Sequence, residues 1–133
     1  MAGVAAWVSP GMRTWVWMYQ VHGVAVVEVV GQLGVAAVQP LRAALDAASP
    51  CHVILDVGGV TTDDASAAVV GGMCRYAGTR GSDIVLVLLA PVTEALEQAD
   101  VLHLYDTAID VADGLILIAH QQDGADHGAW RQA

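Results

Sequence analysis

The sequence predicts an α/β domain: a mixed, mostly parallel sheet opened by one antiparallel hairpin and accompanied by about four helices. Three observations carry this. From Arg13 to Val21, Trp15, Trp17 and Tyr19 alternate with Val16 and Met18, the period of a strand, and Val24–Val30 follows after the turn His22-Gly23. From Val53 to Ala68, the apolar run Val-Ile-Leu-Asp-Val reaches Gly58-Gly59 and then an acidic pair before a small-residue helix. That order suits a buried parallel strand, a loop and a helix start. Beyond it, short apolar runs alternate with helical patterns, as parallel strands joined by helices require.

Residues 1–12 contain Ser9-Pro10-Gly11 and show no period, so they read as a loose leader to a domain spanning 13–119. Gly31-Gln32-Leu33-Gly34 breaks the second strand. Val38–Ala48 is helical, with Pro40 in its first turn and Leu41, Ala44 and Leu45 on one face. Ser49-Pro50 ends it, and Val53–Val57 is the buried strand. A helix over residues 65–76 is weakened by Gly71-Gly72. Ile84–Leu89 is a second buried strand, Val92–Ala99 a short helix begun by Pro91, and Val101–Tyr105 a brief last strand. Asp110 caps a final helix through Ala119. From His120 to Ala133 the chain turns polar and is expected to form a disordered tail.

At 133 residues the chain holds one core. Its hydrophobic fraction of 56% is mostly Ala and Val, and no apolar run is long enough to span a bilayer. The first residues lack the basic and apolar regions of a signal peptide, so a cytoplasmic protein is expected. Fourteen acids stand against five arginines and no lysine, a net charge of −9. No basic stripe is available for nucleic acid or for anionic lipid, which excludes both as expected partners.

Chemistry has few footholds. His22, His52, His103, His120 and His127 are scattered, with no metal-ligand spacing and no nucleophile–base arrangement. Asp56, Asp63 and Asp64 together suggest magnesium at most weakly, and the lysine of a phosphoacceptor receiver is missing. No cofactor, no metal and no enzymatic activity are expected. Asp63-Asp64 reads first as a helix cap stabilising by about 1 kcal/mol, and Asp56 as a side chain ordering the loop at Gly59. Cys51 and Cys74 admit two readings. A rise of about 20 Å along the strand and a descent of about 12 Å down the helix place the sulfurs at similar depth for a redox pair. Buried thiols in a reducing cytosol are the alternative, and the one favoured. Trp15 and Trp17 share a strand face, either as a hydrophobic cover folded under Trp7 or Trp130 or as a partner or dimer interface.

Several segments in order resemble the STAS domain of bacterial anti-sigma factor antagonists, from about Arg13 to Ala119. Gly31-Gln32-Leu33-Gly34 stands where that family has Gly-Glu-Leu-Asp. Leu41-Arg42-Ala43-Ala44-Leu45-Asp46 matches its first helix. Leu55-Asp56-Val57-Gly58-Gly59-Val60-Thr61 is close to Leu-Asp-Leu-Ser-Gly-Val-Thr, and Leu96 and Asp110–Leu115 fit the closing helices. The resemblance implies a STAS-like fold and a non-enzymatic regulator of transcription. Such a protein binds an anti-sigma factor, often a serine kinase of the histidine-kinase-like ATPase type, and so releases a sigma factor. The family's kinase phosphorylates a serine in the pattern Asp-Ser-Ser-Gly; here Asp64, Ala65, Ser66 and Ala67 stand there, and Ala65 offers no hydroxyl.

Three readings follow for the regulatory loop Thr61, Thr62, Asp63, Asp64, Ala65 and Ser66. The protein is a permanently competent antagonist; or Asp63, replacing a typically apolar residue, imitates the phosphorylated state by its charge; or phosphorylation moves to Ser66, about 100° around the helix. The first is favoured, with contact through Thr61–Ala68. The alternatives of another class are a STAS-type sensor holding a nucleotide or other small anion at the helix N-terminus, which Asp63 and Asp64 would repel, and a scaffold of a larger STAS assembly built on the tryptophan face.

Overall fold

The computed structural model describes residues 4–49 and 52–132, with side chains up to Gln122. Its elements are β1 (Ala5–Val8), β2 (Thr14–Val21), β3 (Val24–Leu33), α1 (Val38–Ala48), β4 (Val53–Thr62), α2 (Ser66–Thr79), β5 (Ile84–Val87), α3 (Ala90–Gln98), β6 (Asp106–Ala108) and α4 (Val111–Gln132). The strands form one sheet in sequence order from β1 to β6. β1–β2 and β2–β3 pair antiparallel, and β3 through β6 are parallel. This is the mixed α/β domain with four helices that the sequence predicts.

The two faces of the sheet are covered differently. Successive parallel strands joined by helices of one hand place those helices on the same side. Leu41 and Leu45 of α1, Val69, Val70 and Met73 of α2, and Val92 and Leu96 of α3 accordingly share one core with Val27, Val29, Leu55, Val57 and Leu86. α4 alone covers the other face, where Ile118 packs with Val24, Val26, Ile54, Val85 and Val87. α1 and α2 are further tied at the surface. Tyr76 donates to Asp46 at 2.5 Å, Arg80 pairs with the same carboxylate at 3.2 Å, and the Arg42 guanidinium lies 4.6 Å above the Tyr76 ring.

Several elements differ from the sequence expectation. The expected loose leader contains β1, held by the register Trp7↔Val16 and Val8↔Trp15, with Ser9 Oγ accepting the Thr14 N–H at 3.0 Å. β3 and β4 run on to Leu33 and Thr62 because the glycines are accommodated within the ladder. At Gly31 the chain takes φ +104° and passes so close to Arg13 that a Cβ would lie 2.2 Å from its carbonyl oxygen. Between Asp56 and Gly59 the register shifts by one residue, a β-bulge in place of a loop. Asp56 Oδ1 accepts the Gly58 N–H there at 3.0 Å. The last strand falls at Asp106–Ala108, since Leu102–Leu104 forms a turn of 3-10 helix. α4 continues through Gln132, where a disordered tail is expected; its polar start is joined to the sheet edge by Gln121 Nε2 donating to Asp106 Oδ2 at 3.1 Å.

Candidate functional site

The loop from β4 into α2 lies at the C-terminal end of the parallel strands, next to the start of α1. Thr61 and Thr62 pair with Gln32 and Leu33 of β3, so the loop begins on a fixed ladder. Asp63 then takes four contacts that hold it in place. Its Oδ1 accepts the Ala65 N–H at 2.8 Å, and its Oδ2 accepts Gln32 Nε2 at 3.2 Å. Its own N–H donates to Ser66 Oγ at 2.9 Å, and its carbonyl accepts the Ser66 N–H at 3.1 Å. The residue immediately before α2 is Ala65, which has no side-chain cap. The helix start is therefore shaped by an aspartate turn two residues upstream, rather than by capping from an Asp63-Asp64 pair. Asp64 is exposed.

The carboxylate of Asp63 also fills a space. A Cβ built on Gly34 would lie 2.3 Å from Asp63 Oδ2, so position 34 must be glycine while Asp63 holds this pose. In the pattern Gly-Glu-Leu-Asp that Gly31–Gly34 resembles, the last position carries the acid and the counterpart of Asp63 is apolar. Here position 34 is the small residue and the acid stands at position 63, across the same contact. Local sequence reading takes Asp63 first for a helix cap and otherwise for a charge near the helix N-terminus; the signal for its setting is the coincidence of Gly34 with Asp63.

Ser66 opens α2 and is fully buried, at 0% exposure. Its Oγ donates to the Leu33 carbonyl at 2.5 Å while accepting from Asp63 N, so one hydroxyl satisfies two backbone groups of neighbouring segments. In this conformation that oxygen is shielded from solvent and bonded on both sides, so the phosphorylation expected at Ser66 would require the start of α2 to open. Ala65 and Ala67 are half-buried and Ala68 is exposed. Between the start of α2 and the end of α3 runs a shallow cleft of about 260 Å³ with Asp63 and Asp64 at its rim and Ala67, Ala95 and Ala99 along it. Gln98 completes the lining, and the cleft adjoins the N-terminus of α2, where Asp63 accepts the Ala65 N–H.

The remaining singled-out residues lie elsewhere. Asp56 and Gly59 belong to the bulge in the interior strand β4 and do not line the cleft. Trp15 and Trp17 stack with ring centroids 6.2 Å apart and planes 13° from parallel. They face the α4 side, beyond the reach of that helix, and Trp17 and Val30 remain 37% and 39% exposed. Trp7 packs into the core on the opposite face, so it does not cover them; Trp130 lies outside the described side chains. Glu28 and Asp56 sit beside Trp17 in one row across β2, β3 and β4. Burial, followed by the charges of Glu28 and Asp56, raises the Tyr19 hydroxyl above its ordinary range.

Cys74 is half-buried on α2, and burial pushes its thiol up to about 11 against a smaller lowering by Arg75, so it is protonated at neutral pH. Cys51, its partner in the less favoured redox-pair reading, lies outside the described residues. Among the described residues no group of three or more His, Cys, Asp or Glu side chains could hold a metal ion, and no helix is long and apolar enough to cross a membrane.

At the level of sequence, no protein-family model and no curated protein matches the chain. Solved structures do. The crystal structure of an anti-sigma factor antagonist from Mycobacterium paratuberculosis superposes with a TM-score of 0.65 at 14% identity, covering 88% of this chain and 95% of that one. The anti-sigma factor antagonist SpoIIAA in its unphosphorylated form superposes with a TM-score of 0.60 at 16% identity, covering 79% and 96%. Both likenesses span nearly all of the other chain, and with the six-stranded mixed sheet and four helices described above they show that this protein has the STAS fold of the anti-sigma factor antagonists.

Proposed function

We propose that this chain is a non-enzymatic anti-sigma factor antagonist that binds its partner through the surface from Thr61 to Ala68 and escapes phosphorylation at the usual position. The observation that carries this is Ala65 at the entry to α2, in the place of the family's acceptor serine, on a fold shared with two antagonists. Two further contacts support the competent reading over its rivals. Ser66, the neighbouring hydroxyl, is buried and bonded on both sides. Asp63, the would-be phosphate mimic, is turned onto Gly34 and Gln32, so its charge belongs to the loop's architecture. The partner is an anti-sigma factor, of the serine-kinase type or not, and the cleft between α2 and α3, with Ala67, Ala95 and Ala99 along it, gives it a close approach.

Binding to purified anti-sigma factors, with and without ATP, together with intact mass, tests the proposal. The expected result is saturable binding that ATP leaves unchanged and no added phosphoryl group. Failure to bind any of them, or a stoichiometric phosphoryl group, overturns it.

The stacked, part-exposed Trp15 and Trp17 favour a second reading, a homodimer or larger STAS assembly through that face. Light scattering over a concentration series checks it: mass should grow with concentration in the native chain and not in Trp17→Ser.

A further inference from the structure

The cleft beside Asp63 and Asp64 does not end at Ala68. It shares Ala67 and Ala99 with a second hollow of about 240 Å³, closed on its far side by Tyr105. That hollow shares Gly71, Arg75 and Tyr105 with a cavity of about 420 Å³, which Ser82 lines. The three form one groove along α2, a helix of 14 residues and so about 21 Å long.

The spacing of residues on α2 makes this groove. Ala67, Gly71, Arg75 and Gly78 follow one another at helical intervals and share one stripe of the helix. The small residues let a facing chain approach α2 closely. The arginine folds back along its own helix: a Cβ built on Gly71 would lie 3.4 Å from Arg75 Nη1 and 3.0 Å from Tyr105 Oη. Two donors therefore converge over a glycine. Burial, then the neighbouring Cys74, raises the Tyr105 hydroxyl above its ordinary range against a smaller lowering by Arg75, so it keeps its proton at neutral pH.

The polar groups along this stretch are unmatched. Arg75 makes no ion pair among the described residues, whereas Arg80 pairs with Asp46. Asp106 does not answer it, being bonded to Gln121 of α4 on the other face of the sheet, and Asp83 is exposed and unpaired among the described residues. Ser82 is only 4% exposed, and its Oγ is the one buried side-chain polar atom among the described residues without a hydrogen-bond partner. Buried hydroxyls are ordinarily satisfied, and rotation about one bond can turn this one toward the groove. Leu104, beside Tyr105, is 64% exposed.

We propose that the partner surface continues along α2 through this groove and takes a segment of the anti-sigma factor that carries an acidic side chain. The carboxylate lies over Gly71, between Arg75 and Tyr105 Oη, and the segment runs on past Leu104 to the hydroxyl of Ser82. Two observations name this occupant. The groove is continuous with the Thr61–Ala68 surface, Gly71 lying six residues or about 9 Å beyond Ala65. Arg75 is also the only cation lining it among the described residues, with Asp63 and Asp64 at one end and Asp83 at the other. An acid is therefore favoured at the middle of the groove and repelled at its ends. This inference rests on the function proposed above and adds what the partner must carry.

Affinities of the full chain and its variants for purified anti-sigma factors test it. Arg75→Gln should weaken binding about tenfold or more, the loss of a charge-assisted bond, and Tyr105→Phe and Ser82→Ala each about threefold. Arg80→Gln changes the net charge equally from outside the groove and should leave affinity within about twofold of the native value. Native affinity in Arg75→Gln, or in both Tyr105→Phe and Ser82→Ala, overturns the extension while the proposed function stands. An equal loss in Arg80→Gln does the same, since the effect would then be one of net charge alone. Loss of self-association in Arg75→Gln with anti-sigma binding intact would assign the groove to a second copy, and overturns it too. A native chain that binds no anti-sigma factor overturns the proposed function and this extension with it.

Discussion

Two buried serines stand at opposite ends of α2, and they are held very differently. Ser66, at the start, serves two backbone groups with one hydroxyl and lies beneath a turn whose every polar contact is internal. Ser82, just past the end, is almost as buried and has nothing to bond. The start of the helix is therefore built to keep a shape, which is what a rigid docking surface needs. The far end keeps unmet polar capacity, which is what a ligand site needs. One element thus joins a start whose buried hydroxyl is fully bonded to an end whose buried hydroxyl is not.

The sharpest way to break this comparison is to delete each hydroxyl. Ser66→Ala leaves the Leu33 carbonyl and the Asp63 N–H without their partner, and should cost about 2–4 kcal/mol in urea unfolding. A loss below 1 kcal/mol on that scale would mean the hydroxyl is not the tie it is taken to be. Next in size is the contact between Gly34 and Asp63. Gly34→Ala drives a methyl group into the carboxylate and should cost about 1–3 kcal/mol. In Gly34→Ala/Asp63→Ala the clash is gone, so the double variant should be more stable than the sum of the singles predicts, by about 1 kcal/mol in a double-mutant cycle. Simple additivity would contradict the steric dependence of position 34 on Asp63.

At the other end of the helix the sign reverses. Ser82→Ala removes an orphan rather than a partner, and should leave stability unchanged or raise it by up to about 1 kcal/mol. A large loss would reveal a hidden partner for that oxygen. Smallest of all is Asp64→Asn: the side chain is exposed, and unfolding should move by less than about 0.5 kcal/mol. Its effect belongs instead to partner binding, where loss of a charge at the rim of the cleft should change the association rate and its salt dependence.

What could be read in the sequence divides along the same physical line. α1 was legible to its ends because Pro40, the Leu41–Leu45 face and Ser49-Pro50 are local signals. The β2–β3 hairpin was legible because aromatic alternation and His22-Gly23 are local too. The strand β1 was not, since Ala5–Val8 becomes a strand only through its pairing with β2. Gly58-Gly59 looked like a loop because the bulge that absorbs them depends on the neighbouring β3. At the candidate site, Ala65 was visible as a missing hydroxyl, whereas the roles of Asp63 and Ser66 were hidden in contacts with Gly34 and Leu33, distant in the chain. The cavity below Ser82 was invisible, because an unpaired group leaves no pattern in a sequence.

The most direct measurement restores what is missing. Ala65→Ser and the native chain, each incubated with a kinase-type anti-sigma factor and ATP, should be compared by intact mass and by affinity. The account predicts one phosphoryl group on the variant with weakened binding, and an unmodified native chain that binds as tightly with ATP as without. A phosphorylated native chain, or a native chain that binds no anti-sigma factor at all, would contradict it.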